Sequence, residues 1–197
     1  MSVEHARAQT PSGIAGIRDL QESDIQDVVT YWHESSAEHL DDLGIDRDRL
    51  GSRGSTYARF HQALRSGDPD QTNIAFAVTL DDEFVGYTLL NRYDPQINYS
   101  HWHITNLRRR AAGLSTALYP HRIKTYFDTT PIARLIHQTR TRNSGVNRML
   151  DKYLPVAETQ FIEHPDGVAK PGEFHIRYAF RESVPRLFEI AAGLMKI

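Results

Sequence analysis

Apolar residues recur along this chain with period two in some stretches and with a period near 3.6 in others, the marks of strands and helices. Gly16 to Leu20 reads as a strand. Ser23 and Gln26 then form a capping box for a helix whose apolar face is Ile25, Val28, Val29 and Trp32. Ser35 to Asp48 reads as a short helix and a loop anchored by Leu40, Leu43 and Ile45, and Tyr57, Phe60 and Leu64 resume helical spacing. Two strands, Ile74 to Leu80 and Phe84 to Leu90, flank an Asp81-Asp82 turn. After Asp94-Pro95-Gln96 a further strand runs to Asn106, and a helix from Ser115 carries Leu118, Tyr119, Ile123, Tyr126 and Phe127. Pro120 lies inside that helix and predicts a kink or a later start, because proline removes a helix hydrogen bond. Ala133 to Thr139 reads as a strand. Asn143 caps a helix with Val146, Met149, Leu150 and Tyr153 on its apolar side. Phe161 to Glu163 and Phe174 to Phe180 read as strands, and Ser183 caps a last helix that covers the sheet or supplies a dimer surface. Residues 1–12 lack periodicity and predict a loose tail, leaving 13–197 as one domain. Three consecutive antiparallel strands fit poorly with a doubly wound sheet, in which helices separate the strands.

Composition narrows the chemistry without naming it. The 197 residues are 40% hydrophobic and 24% charged, as in an ordinary globule. A formal charge of −2 gives no global pull toward nucleic acid. With no cysteine there is no thiol nucleophile, disulfide framework or thiolate zinc site. No apolar run approaches the ~20 residues that span a bilayer and no secretion signal is visible, so the expectation is a cytoplasmic protein without membrane contact.

The stretch from Ser100 to Leu118 carries the most chemistry. Alternation puts Tyr99, His101, His103 and Thr105 on one strand face and Trp102, Ile104 and Asn106 on the other. Arg108, Arg109 and Arg110 follow as charge-assisted donors, and Ala111, Ala112, Gly113 and Ser115 keep the next turn free of bulk. A helix start directly afterwards offers unpaired N–H groups and the positive end of its dipole, which together suit a phosphate.

Arg110-Ala111-Ala112-Gly113-Leu114-Ser115 is similar to the Q/R-x-x-G-x-G/A pyrophosphate signature of the GNAT superfamily of acyl-CoA-dependent N-acyltransferases, with Ser115 where the family prefers Gly or Ala. The opening IRDLQESDIQDVV looks like that family's first strand and helix, and Val85-Gly86-Tyr87 like its third strand. Asn143 to Leu154 resembles its N-x-x-A…Y-x-K-x-G-F stretch, with Asn143 and Lys152 in place. There the chain departs from the pattern. Leu150 falls where many members have the tyrosine that protonates the leaving thiolate, and Leu154-Pro155 replaces Gly-Phe.

The resemblance covers residues 16 to 181 and implies an α/β fold of the α+β type, a GNAT-like mixed, mostly antiparallel sheet flanked by helices, with an extra C-terminal helix. It implies an N-acyltransferase that uses acyl-CoA, acetyl-CoA first among donors, on a small-molecule amine. Thr105, Asn106, Leu107, Arg108, Arg109, Arg110, Ala111, Ala112, Gly113, Leu114, Ser115 and Asn143 would hold the donor, and backbone N–H groups of Ile104 to Leu107 would meet its pantetheine arm. Trp32, His33 and His39 are candidate acceptor contacts, against the plainer reading of Trp32 as core and both histidines as solvated. His103 is the candidate general base, with His101 reached through water or acting on the acceptor, since imidazole titrates near neutrality. Tyr153 could replace the missing acid if the backbone shifts. No metal is expected. A local basic path of Arg108, Arg109, Arg110, Arg134, Arg140, Arg142, Arg148 and Lys152 keeps an aminoacyl-tRNA or acyl carrier protein open as donor. Leu150 keeps open a non-catalytic acyl-CoA sensor.

Overall fold

In the computed structural model, residues 2–68, 71, 73–94, 97–106, 108, 113–165 and 167–194 are described, with the backbone alone for 92–94. They build one eight-stranded sheet in the order β1-β2-β3-β4-β5-β6-β8-β7. The strands are β1 (Glu4–Thr10), β2 (Gly13–Asp19), β3 (Asn73–Leu80), β4 (Glu83–Asp94), β5 (Ile97–Ile104), β6 (Arg134–Arg140), β7 (Glu158–Ile162) and β8 (Gly172–Phe180). The helices are α1 (Glu22–Glu34), α2 (Ala37–Leu43), α3 (Arg53–Gln62), α4 (Leu114–Thr129), α5 (Ser144–Leu150) and α6 (Val184–Leu194). Every neighbouring pair of strands is antiparallel except β5–β6, which is parallel.

Alternation along the central strands divides the core between the two sheet faces. In β3, Ile74, Phe76, Val78 and Leu80 pack with Leu118, Tyr119, Ile123 and Tyr126 of α4 on one face. Ala75 and Ala77 point the other way, toward Ile25, Val28 and Trp32 of α1 and Phe60 of α3. Both faces are therefore covered, and each large side chain buried there contributes on the order of 1.5–3 kcal/mol. The last helix packs on α4 through Leu187 and Ala191, with His121 edge-on to Phe188 at 4.8 Å.

Three expectations need correction. The loose tail is not observed: Glu4–Thr10 pairs along β2 as the edge strand β1. Its alternating small residues Ala6 and Ala8 lie flat against the core on the α4 side, a signal too weak to register as a hydrophobic period. Helix α1 begins at Glu22, ahead of Ser23, because the Asp24 carboxylate accepts the Gln21 N–H at 2.8 Å while Arg18 grips the same carboxylate at 2.7 and 2.9 Å. Finally, α4 starts at Leu114 and runs through Pro120 to Thr129 without a break. The carbonyl that Pro120 cannot reach, that of Thr116, accepts the Tyr153 hydroxyl at 2.7 Å. A side chain from the next layer thus replaces the missing backbone donor.

Candidate active site

The site begins where two strands part. β5 pairs with β4 along its whole length, but with β6 only from Ile97–Arg134 to Tyr99–Ile136. Beyond Tyr99 the two diverge. Gly86 of β4 lies opposite Ile104, and a Cβ there would run into the His103 carbonyl oxygen and stand 2.9 Å from Ile104 Cα. The close approach of these backbones therefore requires glycine. Thr105 N–H and Asn106 N–H both return to the Val85 carbonyl, at 2.9 and 3.1 Å. Two of the amides expected to meet a pantetheine arm are thus bonded to β4. By strand alternation it is the Trp102 and Ile104 amides that face the open side of the split. Thr105 and Asn106 instead line a cavity of about 360 Å³ with Asp27, Thr30, Tyr31, Glu34, Ser35 and Phe84.

His103 stands at this split inside an aromatic setting. Its ring stacks on Tyr87 (centroids 5.3 Å apart, 24° between planes) and meets the edge of Trp32 at 4.8 Å. Trp32 Nε1–H donates to the Tyr87 hydroxyl at 2.9 Å, which fixes both rings, and burial pushes the Tyr87 phenol well above its ordinary pKa. Tyr31, 5% exposed, brings its Oη within 3.2 Å of His103 Nδ1 and within 3.2 Å of His39 Nε2. Helices α1 and α2 and strand β5 therefore bring together three of the expected residues, Trp32, His39 and His103. Tyr31 and Tyr87 join them, and sequence reasoning missed both. His33 faces away: its Nε2 bonds Thr56 Oγ1 at 2.9 Å, beside a second cavity of about 350 Å³ between α1, α2 and the 44–51 loop. Burial, with Arg53 and Arg59 nearby, lowers the His33 pKa.

The α4 side supplies a glycine-led helix start. Gly113 has φ +75° and precedes Leu114, and a Cβ built on it would stand 3.9 Å from Pro11 Cδ, with no other residue nearer among those described outside its own turn. Two observations on the described residues fit the demands of a diphosphate-tailed thioester: a glycine leading into the helix with no described atom crowding its Cβ position, and no acidic residue in the first turn of α4.

No family model matches the chain, and no curated protein matches it. Solved structures do. RimJ of Mycobacterium smegmatis, in complex with a CoA-disulfide, superposes with a TM-score of 0.73 at 16% identity over 98% of this chain and 94% of that one. RimL, a ribosomal L7/L12 alpha-N-protein acetyltransferase in complex with coenzyme A, gives 0.70 at 11% identity, covering 90% and 98%. The aminoglycoside acetyltransferase AAC(6')-Ib with coenzyme A gives 0.65 at 15%, covering 87% and 98%. The chain has the GNAT fold.

Within a GNAT fold the remaining expected residues take different places. Gly113, Leu114 and Ser115 form the start of α4, with the Leu114 side chain in the core and only its backbone facing the turn. Arg108 N–H donates to Asn106 Oδ1 at 3.2 Å. Leu107, Arg109, Arg110, Ala111 and Ala112 lie outside the described residues. Asn143 is the N-cap of α5, its Oδ1 accepting Val146 N–H at 3.3 Å. Buried Asn147, which sequence reasoning passed over, ties that helix to β6 through the Arg140 and Thr141 carbonyls at 2.9 and 3.1 Å and through the Thr139 hydroxyl at 2.6 Å. Leu150, at the position GNAT enzymes often give to tyrosine, is 1% exposed in the core. Tyr153 is also buried, its ring stacked on Tyr119 at 4.7 Å and its hydroxyl committed to Thr116, and burial raises its pKa to about 12.

His101 lies on the same strand face as His103, with solvent at its ring. Desolvation by the surrounding groups, with the cations Arg59 and Arg122, lowers its pKa to about 4. His137 of β6, absent from the sequence reading, is 2% exposed and 3.0 Å from the Tyr119 hydroxyl, with its pKa driven well below 6.5 by burial and by Arg122 and Arg177. Two members of the basic path are engaged inside the molecule: Arg140 donates to the Lys170 and Pro171 carbonyls at 2.7 and 2.9 Å, and Arg142 to the Asp41 carbonyl at 2.7 Å. Among the described residues no group of three or more His, Asp or Glu is placed to hold a metal ion, and no helix is long and apolar enough to cross a membrane.

Proposed function

We propose that this protein transfers an acyl group from acyl-CoA, acetyl-CoA first among donors, to the primary amine of a small acceptor, with His103 as general base. The observation that carries the reading is the imidazole held by Tyr31, Tyr87 and Trp32 on β5, just past the point where its pairing with β6 ends. The donor, when bound, supplies an activated thioester carbonyl. The start of α4 at Gly113 to Ser115, with Arg108 and the cationic residues that follow it in sequence, holds the diphosphate by N–H groups and charge. The Trp102 and Ile104 amides face the arm and donate to its amide and carbonyl oxygens.

An acceptor amine arrives protonated at neutral pH and cannot attack until it loses a proton. With Nδ1 of His103 engaged by Tyr31, Nε2 is the nitrogen assigned to take that proton. The aromatic rings keep the imidazole in one orientation, and the stacked face of Tyr87 favours the cation that forms. His101 acts beside it through water and is neutral at pH 7. The acceptor enters from the side of α1 and α2, where the loop after α2 is latched to the β7–β8 turn by Asp46 N–H to the Val168 carbonyl (2.7 Å) and Lys170 N–H to the Gly44 carbonyl (2.8 Å).

The test is release of free CoA thiol from acetyl-CoA with spermidine, an aminoglycoside and a short peptide with a free N-terminus, comparing wild type and His103→Ala across pH. The expected loss is about 100-fold or more in kcat near neutrality. An unchanged rate and pH profile removes His103 from the mechanism, and no thiol release with any amine, alongside tight CoA binding, favours an acyl-CoA sensor.

A further inference from the structure

The contacts of His103 continue past the base. Tyr31 Oη lies midway between two imidazoles, 3.2 Å from His103 Nδ1 and 3.2 Å from His39 Nε2, and the three side chains come from β5, α1 and α2. A phenol has one proton to give and lone pairs to receive one. With His103 Nδ1–H donating to Oη, and Oη–H donating to His39 Nε2, the three groups form one directed chain from the split to α2, where His39 is half-buried near the surface. Packing alone does not require this arrangement. Tyr31 already rests edge-on against Trp32 at 5.1 Å, a contact phenylalanine would keep.

We propose that Tyr31 and His39 carry the acceptor's proton from His103 to solvent, Tyr31 as a positioning and relay residue and His39 as the outlet. The inference rests on the proposed acyl transfer with His103 as base. Over the whole reaction an ammonium and a thioester become an amide, a thiol and one released proton, so one proton must leave the site each turnover. As the ammonium N–H bond breaks, a bond forms to His103 Nε2. The Nδ1 proton passes to Tyr31 Oη while the phenol's own proton passes to His39 Nε2, and His39 then gives a ring proton to water. No redox partner is involved.

The experiment measures thiol release from acetyl-CoA, at low and high imidazole buffer, for wild type, Tyr31→Phe, His39→Ala and His103→Ala with the best amine of the panel above. The expected result is a fall of about tenfold in kcat for Tyr31→Phe and His39→Ala at low buffer, with the KM for acetyl-CoA within about twofold of wild type. Added imidazole restores His39→Ala, as it would for a lost proton outlet and would not for a damaged fold. Wild-type kcat in both variants beside an inactive His103→Ala overturns the relay and leaves the base standing. Wild-type kcat in His103→Ala overturns the base and the relay with it. A second readout needs no acceptor: the ¹³C-histidine NMR titrations of His39 and His103 shift together on Tyr31→Phe if the chain couples them, and unchanged curves overturn the coupling.

Discussion

Replacing Tyr153 by phenylalanine removes one oxygen, and the structure gives that oxygen a single described partner, the Thr116 carbonyl at 2.7 Å. In an uninterrupted helix that carbonyl would receive the N–H of residue 120, which here is proline. Tyr153→Phe keeps the ring stack on Tyr119 but leaves a carbonyl without its donor beneath a residue only 6% exposed. Stranding a buried polar group costs about 1–3 kcal/mol. At about 2–4 °C per kcal/mol for a domain of this size, the melting temperature should fall by roughly 2–12 °C. Pro120→Ala restores a backbone donor to the same carbonyl, so in that background Tyr153→Phe should cost at least about 1 kcal/mol less. Urea unfolding of the four proteins, followed by circular dichroism, measures the coupling. Costs that add to within about 0.5 kcal/mol refute the repair. The same variants address catalysis: with the phenol committed to α4, Tyr153→Phe should keep its kcat within about twofold. A collapse of kcat at unchanged stability would return Tyr153 to the role of acid for the departing thiolate.

Gly86→Ala sets a methyl against the His103 carbonyl and Ile104 Cα, both backbone, so β5 itself must move. The expected cost is about 1–3 kcal/mol with a marked loss of turnover, and a wild-type rate in thiol release contradicts the tight β4–β5 approach. Gly113→Ala, at φ +75°, forces strain of order 1 kcal/mol onto the start of α4. It should raise the KM for acetyl-CoA several-fold while leaving the acceptor KM alone, and the reverse pattern would move the donor elsewhere. His137 is neutral in the folded protein and its pKa there lies well below the ordinary 6.5, so the unfolded chain binds more protons once pH drops under that value. Stability is therefore full above pH 6.5 and declines as pH falls toward the folded pKa. His137→Gln should flatten the drop in urea midpoint between about pH 7.5 and about pH 5, and an equal drop in both proteins removes His137 as its cause.

What could be read in the sequence follows from how far its causes reach along the chain. The strands at 74–80 and 84–90 and the cap at Asn143 depend on neighbours a few residues away, and each appears where alternation or capping chemistry put it, whereas Ser183, expected to cap the last helix, closes a 3-10 turn ahead of it with its hydroxyl bonded to Phe180. β1 depends on β2 and α4, with only alanines to announce it, so composition suggested a tail. The continuity of α4 depends on a tyrosine 37 positions downstream. No local rule can rescue an internal proline with a side chain from another element.

The site divides in the same way. The β5 histidines and the glycine before α4 could be found because strand alternation and helix-start chemistry operate within a few residues. Nothing local separates His103 from His101, which share a strand face two residues apart. The difference lies in what α1 and α2 bring. Tyr31 is 72 residues from His103 in sequence yet 3.2 Å away in space, whereas His101 is left with cations and solvent. A tyrosine on the buried side of an amphipathic helix reads as core, and Tyr31 is core by burial. Its second identity arises only because its hydroxyl emerges between two imidazoles from other elements. Substitutions in α1 that keep its apolar face but rotate Tyr31 by one position should therefore leave the fold intact and uncouple His39 from His103. The paired NMR titration registers that difference, and thermal unfolding would not.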